Sequence, residues 1–493
     1  MTPRRWLLAA ILALAAFLRF YQFDRFPPGL YSDEAMDGNN AMEALESHEF
    51  AVFYPEDNGR EGFYVNAAAV SIAVFGNRAW ALRLPAAIFG VVTVLGLYLL
   101  VAEWIGPWEG LAAAFFLATS FWHLIFSRIA FRAIAAPMFL VWAAWLLMVA
   151  VRRRRVWWFV SAGAVYGLGF YTYPAYRVTM VLVAVLVARA LLPAAPRLIS
   201  APVGSGGKTE RVGMSAGAAG RSARATSVLM FCAAAAITVA PLTWYFILHP
   251  NMFWGRASEV SIFDGPRPAV EFSLNLWRTG RMLFTRGDHN WRHNIGWRAE
   301  LFWPVAICFV MGLWPAARKY RTLLLWLALS MLPAVFATEA PHALRAILML
   351  PAVCTMAALG GRTVWSWLSR RIPTRVLQTA AALAILLLAY EPYHSYFDVW
   401  APNPRTAEAF DAPATDLARH LAAAPSEQLK IVVDNHPVML IRGLPEDLEP
   451  VMFLTGSYTP NQREERRIQY VAGQDCVVVR GQNPQATVFC ADF

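Results

Sequence analysis

Apolar positions along this chain come in long blocks rather than in alternation. Eleven blocks are long enough to cross the hydrocarbon core of a bilayer, which takes about 20 residues each. They lie near 6–23, 80–102, 108–126, 134–151, 156–171, 177–193, 227–247, 300–316, 322–338, 343–360 and 376–390. A backbone facing lipid must satisfy its own hydrogen bonds, so these blocks are predicted helices. Tyr64 to Phe75 is apolar but too short to span, and reads as an interfacial helix. Asp33 to Ser47 interleaves Ala35, Met36, Met42 and Leu45 with polar residues, the pattern of a helix on the membrane surface, with Ser32 placed to cap it. From about Glu391 the pattern changes to short β-like runs, Ile431-Val432-Val433 and Cys476 to Val479, set between polar turns. The fold class expected is an all-α polytopic membrane protein of about 11 transmembrane helices, with a small C-terminal α/β domain. Residues 1–391 form the membrane domain, with outer loops near 22–80 and 248–299, and residues 392–493 the soluble domain.

Composition agrees with this division. Of 493 residues 58% are hydrophobic and 15% charged, which excludes a soluble multidomain protein of ordinary usage. With alternating spans, Arg4-Arg5, the run Arg152 to Arg155, the group Arg197, Lys208, Arg211, Arg221 and Arg224, the cluster Arg318-Lys319-Arg321, and Arg370-Arg371-Arg375 fall on one side. That side is the cytoplasm by the positive-inside rule, and the net charge of +10 is thereby explained without a nucleic-acid partner. The first block reads as an uncleaved anchor, and the Gly-, Ala- and Ser-rich connection near 194–226 as a flexible cytoplasmic loop. The C-terminal domain is then extracytoplasmic, at the plasma (inner) membrane. The loop near 248–299 breaks the charge rule with Arg256, Arg267, Arg278, Arg281, Arg286, Arg292 and Arg298. Arginines kept outside against the topological bias suit phosphate binding.

Cys232, Cys308 and Cys354 lie in apolar blocks and read as buried structural residues. Cys476 and Cys490 flank a predicted hairpin, Val477 to Arg480 and Ala486 to Phe489, and are a candidate disulfide in an oxidising compartment. There is no Walker loop, dinucleotide fingerprint or paired Cys/His zinc spacing.

The candidate chemistry gathers in the outer loops. Asp33-Glu34 follows the first apolar block, inside a loop that also carries Asp37, Glu43, Glu46, Glu49, Glu56, Asp57 and Glu61. Acids in a helix's first turn favour its dipole, but a carboxylate pair fixed at a bilayer boundary also suits catalysis. Arg60 is the strong cation of the loop 56–62. Further on stand Phe126-Ser127-Arg128-Ile129-Ala130-Phe131-Arg132, Phe284-Thr285-Arg286-Gly287-Asp288-His289-Asn290, and Pro341-His342-Ala343-Leu344-Arg345.

An outer Asp-Glu pair after the first helix, juxtamembrane helices and a basic outer loop together resemble the GT-C membrane glycosyltransferases. The branch most similar holds the protein O-mannosyltransferases and the enzymes that move aminoarabinose onto lipid A. The resemblance covers about residues 1–395. Where the aminoarabinose transferases carry Lys-Pro-Pro, this chain has Gly59-Arg60-Glu61-Gly62. The resemblance implies transfer of a sugar, with inversion, from a polyprenyl-phosphate-linked donor to an acceptor lipid, glycan or protein on the extracytoplasmic face. It implies Asp33 as base, Glu34 orienting it or binding acceptor, and Arg60, Arg128, Arg132, Arg286 and Arg345 as ligands of the donor phosphate. Asp288, His289 and His342 are candidate substrate contacts, with His293 beside them. No cofactor and no metal are assigned, although Asp33 with Asp37, or Asp288 with His289 and His293, can supply ligands to a divalent cation. A transporter or flippase of a lipid-linked sugar, or a structural subunit, is the alternative. The polar groups gather in outer loops rather than at midplane helix breaks, which favours the enzyme.

Overall fold

The computed structural model describes residues 3–191 and 210–491. The predicted loop near 194–226 therefore lies outside the described residues up to 209, as do Arg197 and Lys208, and from Glu210 onward the chain is helical.

In chain order α1 (Pro3–Phe20) leads to α2 (Ser32–Ser47), then to a short hairpin of β1 (Phe53–Tyr54) and β2 (Arg60–Glu61), then to α3 (Phe63–Phe75). Apolar helices follow: α4 (Ala79–Trp104), α5 (Pro107–Ala118), α6 (Phe121–Phe126), α7 (Ala135–Arg153), α8 (Val156–Leu168), α9 (Thr179–Leu191) and α10 (Glu210–Leu248). After α11 (Pro250–Glu259) and α12 (Pro268–Met282) come α13 (Trp303–Lys319), α14 (Arg321–Val335), α15 (Leu350–Leu368) and α16 (Thr374–Tyr393), the last continued by a π-helical turn to Trp400. Each predicted apolar block contains helix among the described residues. The block at 108–126 is broken between α5 and α6, where the Ser120 hydroxyl accepts the His123 amide at 3.3 Å and starts a new helix. Five described helices are long and apolar enough to cross a membrane: Ala79–Trp104, Arg132–Arg153, Ala225–Leu248, Ile347–Leu368 and Thr374–Trp400. The chain is an integral membrane protein. Helices α13 and α15 touch backbone to backbone where Gly312 faces Met356 and Gly360 faces Cys308, a contact that any side chain at either glycine would push apart. Cys354 is buried as expected, whereas Cys308 is half-buried and Cys232 exposed on an apolar helix.

The bundle has two chemically distinct ends. At one, Arg152 pairs with Glu103 at 2.8 Å, Arg362 pairs with Glu109, and Arg4 sits over Trp108. The opposite end carries the loops before α2, before α7, before α13 and before α15, and it is there that the candidate residues collect.

The chain ends in a three-stranded parallel sheet, order β6-β3-β7, of β3 (Lys430–Asp434), β6 (Ile468–Ala472) and β7 (Thr487–Ala491). The central strand is an apolar run because both its faces are covered. Around it lie α17 (Pro404–Ala409), α18 (Ala412–Ala423), a hairpin of β4 (Leu440–Ile441) and β5 (Leu444–Pro445), α19 (Glu449–Thr455), α20 (Pro460–Arg466) and α21 (Cys476–Gln482). The predicted hairpin at 477–489 is absent. Val477 to Val479 form α21, whose first amides are accepted by Asp475, and the chain then crosses over into β7, which parallel pairing requires. The disulfide between Cys476 and Cys490 forms all the same, joining helix to strand with Cα atoms 5.8 Å apart.

Helix α2 is not the surface helix its pattern suggested. Eleven of its sixteen residues are buried, because α19 packs on one side and α3 on the other. Gly38 lets the Phe453 ring reach the backbone of α2; a β-carbon there would lie 2.6 Å from the ring. Nor is Ser32 its cap. Tyr31 holds that position, its amide donating to Glu34, while the Ser32 hydroxyl donates to Asp411 at 3.3 Å.

Candidate active site

A cavity of about 830 Å³ opens between the first turns of α2, the segments before α7 and after α8, α11, and the loops before α13 and α15. Its walls differ in charge.

The acidic wall comes from α2. Asp33 faces the cavity with 28% of its side chain exposed, and Asp37, one turn on, lies beside it nearly buried. Arg60 is brought against them by the β1–β2 hairpin, whose turn uses Gly59 at φ +89°. Its Nη2 lies 3.1 Å from Asp33 Oδ1 and 3.1 Å from Asp57 Oδ2, and its Nε 3.6 Å from Asp37 Oδ1. Burial works against the Arg60 charge, but Asp37, Asp33 and Asp57 outweigh it and raise its pKa. Arg60, expected to meet the donor phosphate, is thus committed to carboxylates.

Glu34 points the other way. It is fully buried and accepts four hydrogen bonds: Arg83 Nε and Nη2, both at 2.8 Å, the Ala130 amide at 2.6 Å and the Tyr31 amide at 3.3 Å. Arg83 also donates to Pro27 and Gly29 carbonyls. Glu34 does not line the cavity, so it cannot touch an acceptor there. It fixes the start of α2, and through it the aim of Asp33.

The basic wall holds Arg292, Arg345, Arg132, His293 and His342. Arg292 stacks on Tyr31, its guanidinium carbon 3.7 Å from the ring centre, which joins the two walls. Neither Arg292 nor Arg345 pairs with a carboxylate among the described residues, and Arg345 Nη1 is buried without a hydrogen-bond partner among them. Arg345 lies in the turn before Ile347–Met349, not inside a helix as predicted. Arg132 is tethered through Nε to Glu61 at 3.2 Å. His293 and His342 rings face each other at 4.8 Å. Burial first, then His293 and Arg345, lower the His342 pKa, so its imidazole is neutral.

Asp288 stands behind this wall. Its Oδ2 accepts His293 Nδ1 at 2.9 Å and the Ala343 amide at 2.7 Å, and its Oδ1 accepts the Asn290 amide at 2.8 Å. Burial alone would raise its pKa; His293 and these donors overcome that and hold the carboxyl below its usual range. It organises the loop and does not line the cavity. His289 is exposed and stacks on Trp297, and Arg286 covers the same ring at 4.0 Å, so neither reaches the site. Arg128 is also elsewhere. It is buried, donating to the carbonyls of Leu18, Arg19, Gln22 and Phe26, with Tyr396 and Phe397 rings 4.8 and 4.9 Å away. It staples the exit of α1 to the turn after α16.

Of the predicted site, Asp33, Arg60, Arg132, His342 and Arg345 come together, while Glu34, Arg128, Arg286, Asp288 and His289 do not line the cavity. Tyr31 had no assigned role, and Arg292 stood only among the outer-loop arginines expected to suit phosphate binding. The signal for Arg292 was the Asp288, Asn290 and Asn294 spacing: each side chain accepts a nearby amide, making a rigid loop that aims what lies between.

Residues 64–205 match the dolichyl-phosphate-mannose-protein mannosyltransferase family. A stretch of 103 residues is 33% identical to the putative mannosyltransferase YkcB of Bacillus subtilis, covering 21% of this chain and 14% of that protein. Among solved structures, ArnT from Cupriavidus metallidurans bound to undecaprenyl phosphate is similar with TM-score 0.55 and 14% identity, over 99% of this chain and 96% of its own. The Archaeoglobus fulgidus oligosaccharyltransferase in its apo form is similar with TM-score 0.52 and 15% identity, over 95% of this chain and 64% of its own. The chain thus spans a small part of the curated relative and under two thirds of the archaeal enzyme. Family segment and architecture agree: this chain has the GT-C fold of the membrane glycosyltransferases.

Proposed function

We propose that the chain transfers a sugar from a polyprenyl-phosphate-linked donor to an acceptor hydroxyl, with inversion, on the extracytoplasmic face of the membrane. One observation carries the reading: a partly exposed carboxylate, Asp33, faces guanidinium and imidazole groups across one cavity. Displacement at an anomeric carbon passes through an oxocarbenium-like transition state and needs a base on the acceptor and charge stabilisation on the leaving group. Asp33 is the base. Arg292 and Arg345, lacking carboxylate partners, take the leaving phosphate, with His293 and His342 as further donors. Apolar residues of the same cavity, Val178, Trp254, Phe263, Phe336 and Leu344, supply a surface for the prenyl chain. The undecaprenyl phosphate bound by ArnT of Cupriavidus metallidurans supports this donor class.

The test is transfer from a synthetic polyprenyl-phosphate hexose by the purified chain, together with cysteine labelling in intact cells. Product should form, and residues 49 and 270, both exposed, should label from outside while 153 labels only from inside. If residue 49 labels only from inside, the extracytoplasmic reaction is ruled out.

A further inference from the structure

Arg60 sits where three carboxylates converge, and its chemistry goes beyond an ion pair. Asp33, Asp37 and Asp57 place oxygen atoms 3.1, 3.6 and 3.1 Å from nitrogens of one guanidinium that is 1% exposed. Carboxylates gathered on one buried guanidinium repel one another, and a cation among them favours their ionised forms. Several carboxylate oxygens around one centre are also the ligand set that hard divalent ions take. We propose that Arg60 is a built-in cation standing in the place of a divalent metal ion, so that the acidic wall is balanced and Asp33 is held without metal. Taken as a role for the site in transfer, this rests on the proposed function; as a statement about ion binding, it does not.

Local structure explains how the cation is delivered. The turn closed by the Gly59 amide on the Glu56 carbonyl puts Asp57 three residues ahead of Arg60 on the same side. Pairing of Tyr54 with Arg60 then fixes the guanidinium against α2. A tethered guanidinium brings one charge where a metal brings two, and it cannot dissociate. Its Nη1 is buried, without a hydrogen-bond partner among the described residues, and Arg60 lines the cavity, so one donor remains for a substrate oxygen.

The cluster that has metal-ligand spacing among the described residues, Asp288, His293 and His342, with ligand atoms within 4.8 Å of one another, has a different character. Asp288 already accepts three hydrogen bonds, and Arg292 and Arg345 stand beside the histidines, a setting that repels a cation. Of these two clusters, it is the one on α2 that combines cation-seeking charge with a cation in place.

The experiment measures Mn²⁺ binding to the purified full-length chain by electron paramagnetic resonance, with melting temperature as the folding control. The wild-type protein and Arg60→Lys should take up no stoichiometric Mn²⁺. Arg60→Met, which removes the charge at similar volume, should gain one equivalent, at least tenfold tighter than any wild-type binding, and lose it again when Asp37→Asn is added. Stoichiometric Mn²⁺ in wild type that Asp33→Asn or Asp37→Asn removes would overturn the proposal, whether or not Arg60→Met folds. So would a folded Arg60→Met that binds no more Mn²⁺ than wild type. Because binding is read rather than transfer, failure of the transferase reading leaves this result standing.

Discussion

The two walls of the cavity are built on opposite plans. On the acidic side every charge has a partner: Arg60 answers Asp33, Asp37 and Asp57, and Arg83 answers Glu34 immediately behind. On the basic side Arg292 and Arg345 have no carboxylate among the described residues, and what orders them is a ring, a rigid loop and the buried Asp288. The acids that do line the cavity nearby, Asp264 and Glu339, are exposed to solvent. A wall with internal balance is pre-organised and needs nothing further. A wall of part-buried guanidiniums without a carboxylate ion pair attracts an anion more strongly than surface arginines do. This contrast supports the proposal of a base on one side and the leaving phosphate on the other.

The largest expected effect breaks the acidic side alone. Asp33→Asn keeps shape and hydrogen-bonding capacity but removes the proposed base, and turnover should fall about a hundredfold or more. Donor affinity and melting temperature should stay near wild type. Steady-state kinetics at saturating donor decide it; a variant with full turnover would leave Asp33 as no more than an ion-pair partner of Arg60.

The basic side should respond in binding instead. Arg345→Met removes a charge-assisted contact of about 1.5–3 kcal/mol, so affinity for polyprenyl phosphate should weaken about 10- to 100-fold with little change in melting temperature. Arg345→Lys keeps charge but loses the planar fork, and should recover only part of the loss. Arg128→Met is the control from outside the cavity. It orphans four carbonyl contacts, two of them fully buried, so it should lower the melting temperature and leave the affinity of the folded fraction unchanged. If Arg128→Met weakened binding and Arg345→Met weakened folding, their roles would have to be exchanged.

Much of this was legible from residue order, and the failures have physical causes. Helices were readable because lipid-facing segments must be apolar along their whole length, which leaves an unmistakable block pattern. Asp33 stood out because a carboxylate at a bilayer boundary is costly, and it lines the cavity. Its neighbour Glu34 looked equivalent in sequence, but adjacent helix positions point about 100° apart, and only contacts with Arg83 and Ala130 reveal which one is buried. Arg128 and Arg132 differ likewise: one fell among carbonyls at the end of α1, the other beside Glu61. A charge in sequence does not disclose its partner. The strand reading of Val477 to Val479 failed because three β-branched residues favour a strand locally, while the parallel sheet they join requires a crossover before β7.

The smallest expected effect tests the support behind the acidic wall. Glu449 of α19 is wholly buried against α2, where Asn39 donates to its carboxylate and to its main-chain carbonyl. Burial raises its pKa from 4.5 to about 7, more than the opposing Asn39 hydrogen bond and the nearby Arg60 can offset. The folded protein therefore keeps this proton through a range in which the unfolded chain has released it. Stability from this group is full below pH 4.5 and is lost as pH rises to about 7, after which it is level. The loss is on the order of 1 kcal/mol, since local opening of α19 limits what a buried ionised group can cost. Glu449→Gln keeps the hydrogen bond without the titration. It should flatten the fall in melting temperature between pH 5 and 7.5 and exceed wild type at the upper end, while Asp33-dependent turnover at a fixed pH is unchanged. A wild-type protein whose melting temperature rises through that window, with Glu449→Gln following it, would show that the α2–α19 contact carries an ionised carboxylate. The acidic wall would then rest on a charge that Arg60 must share.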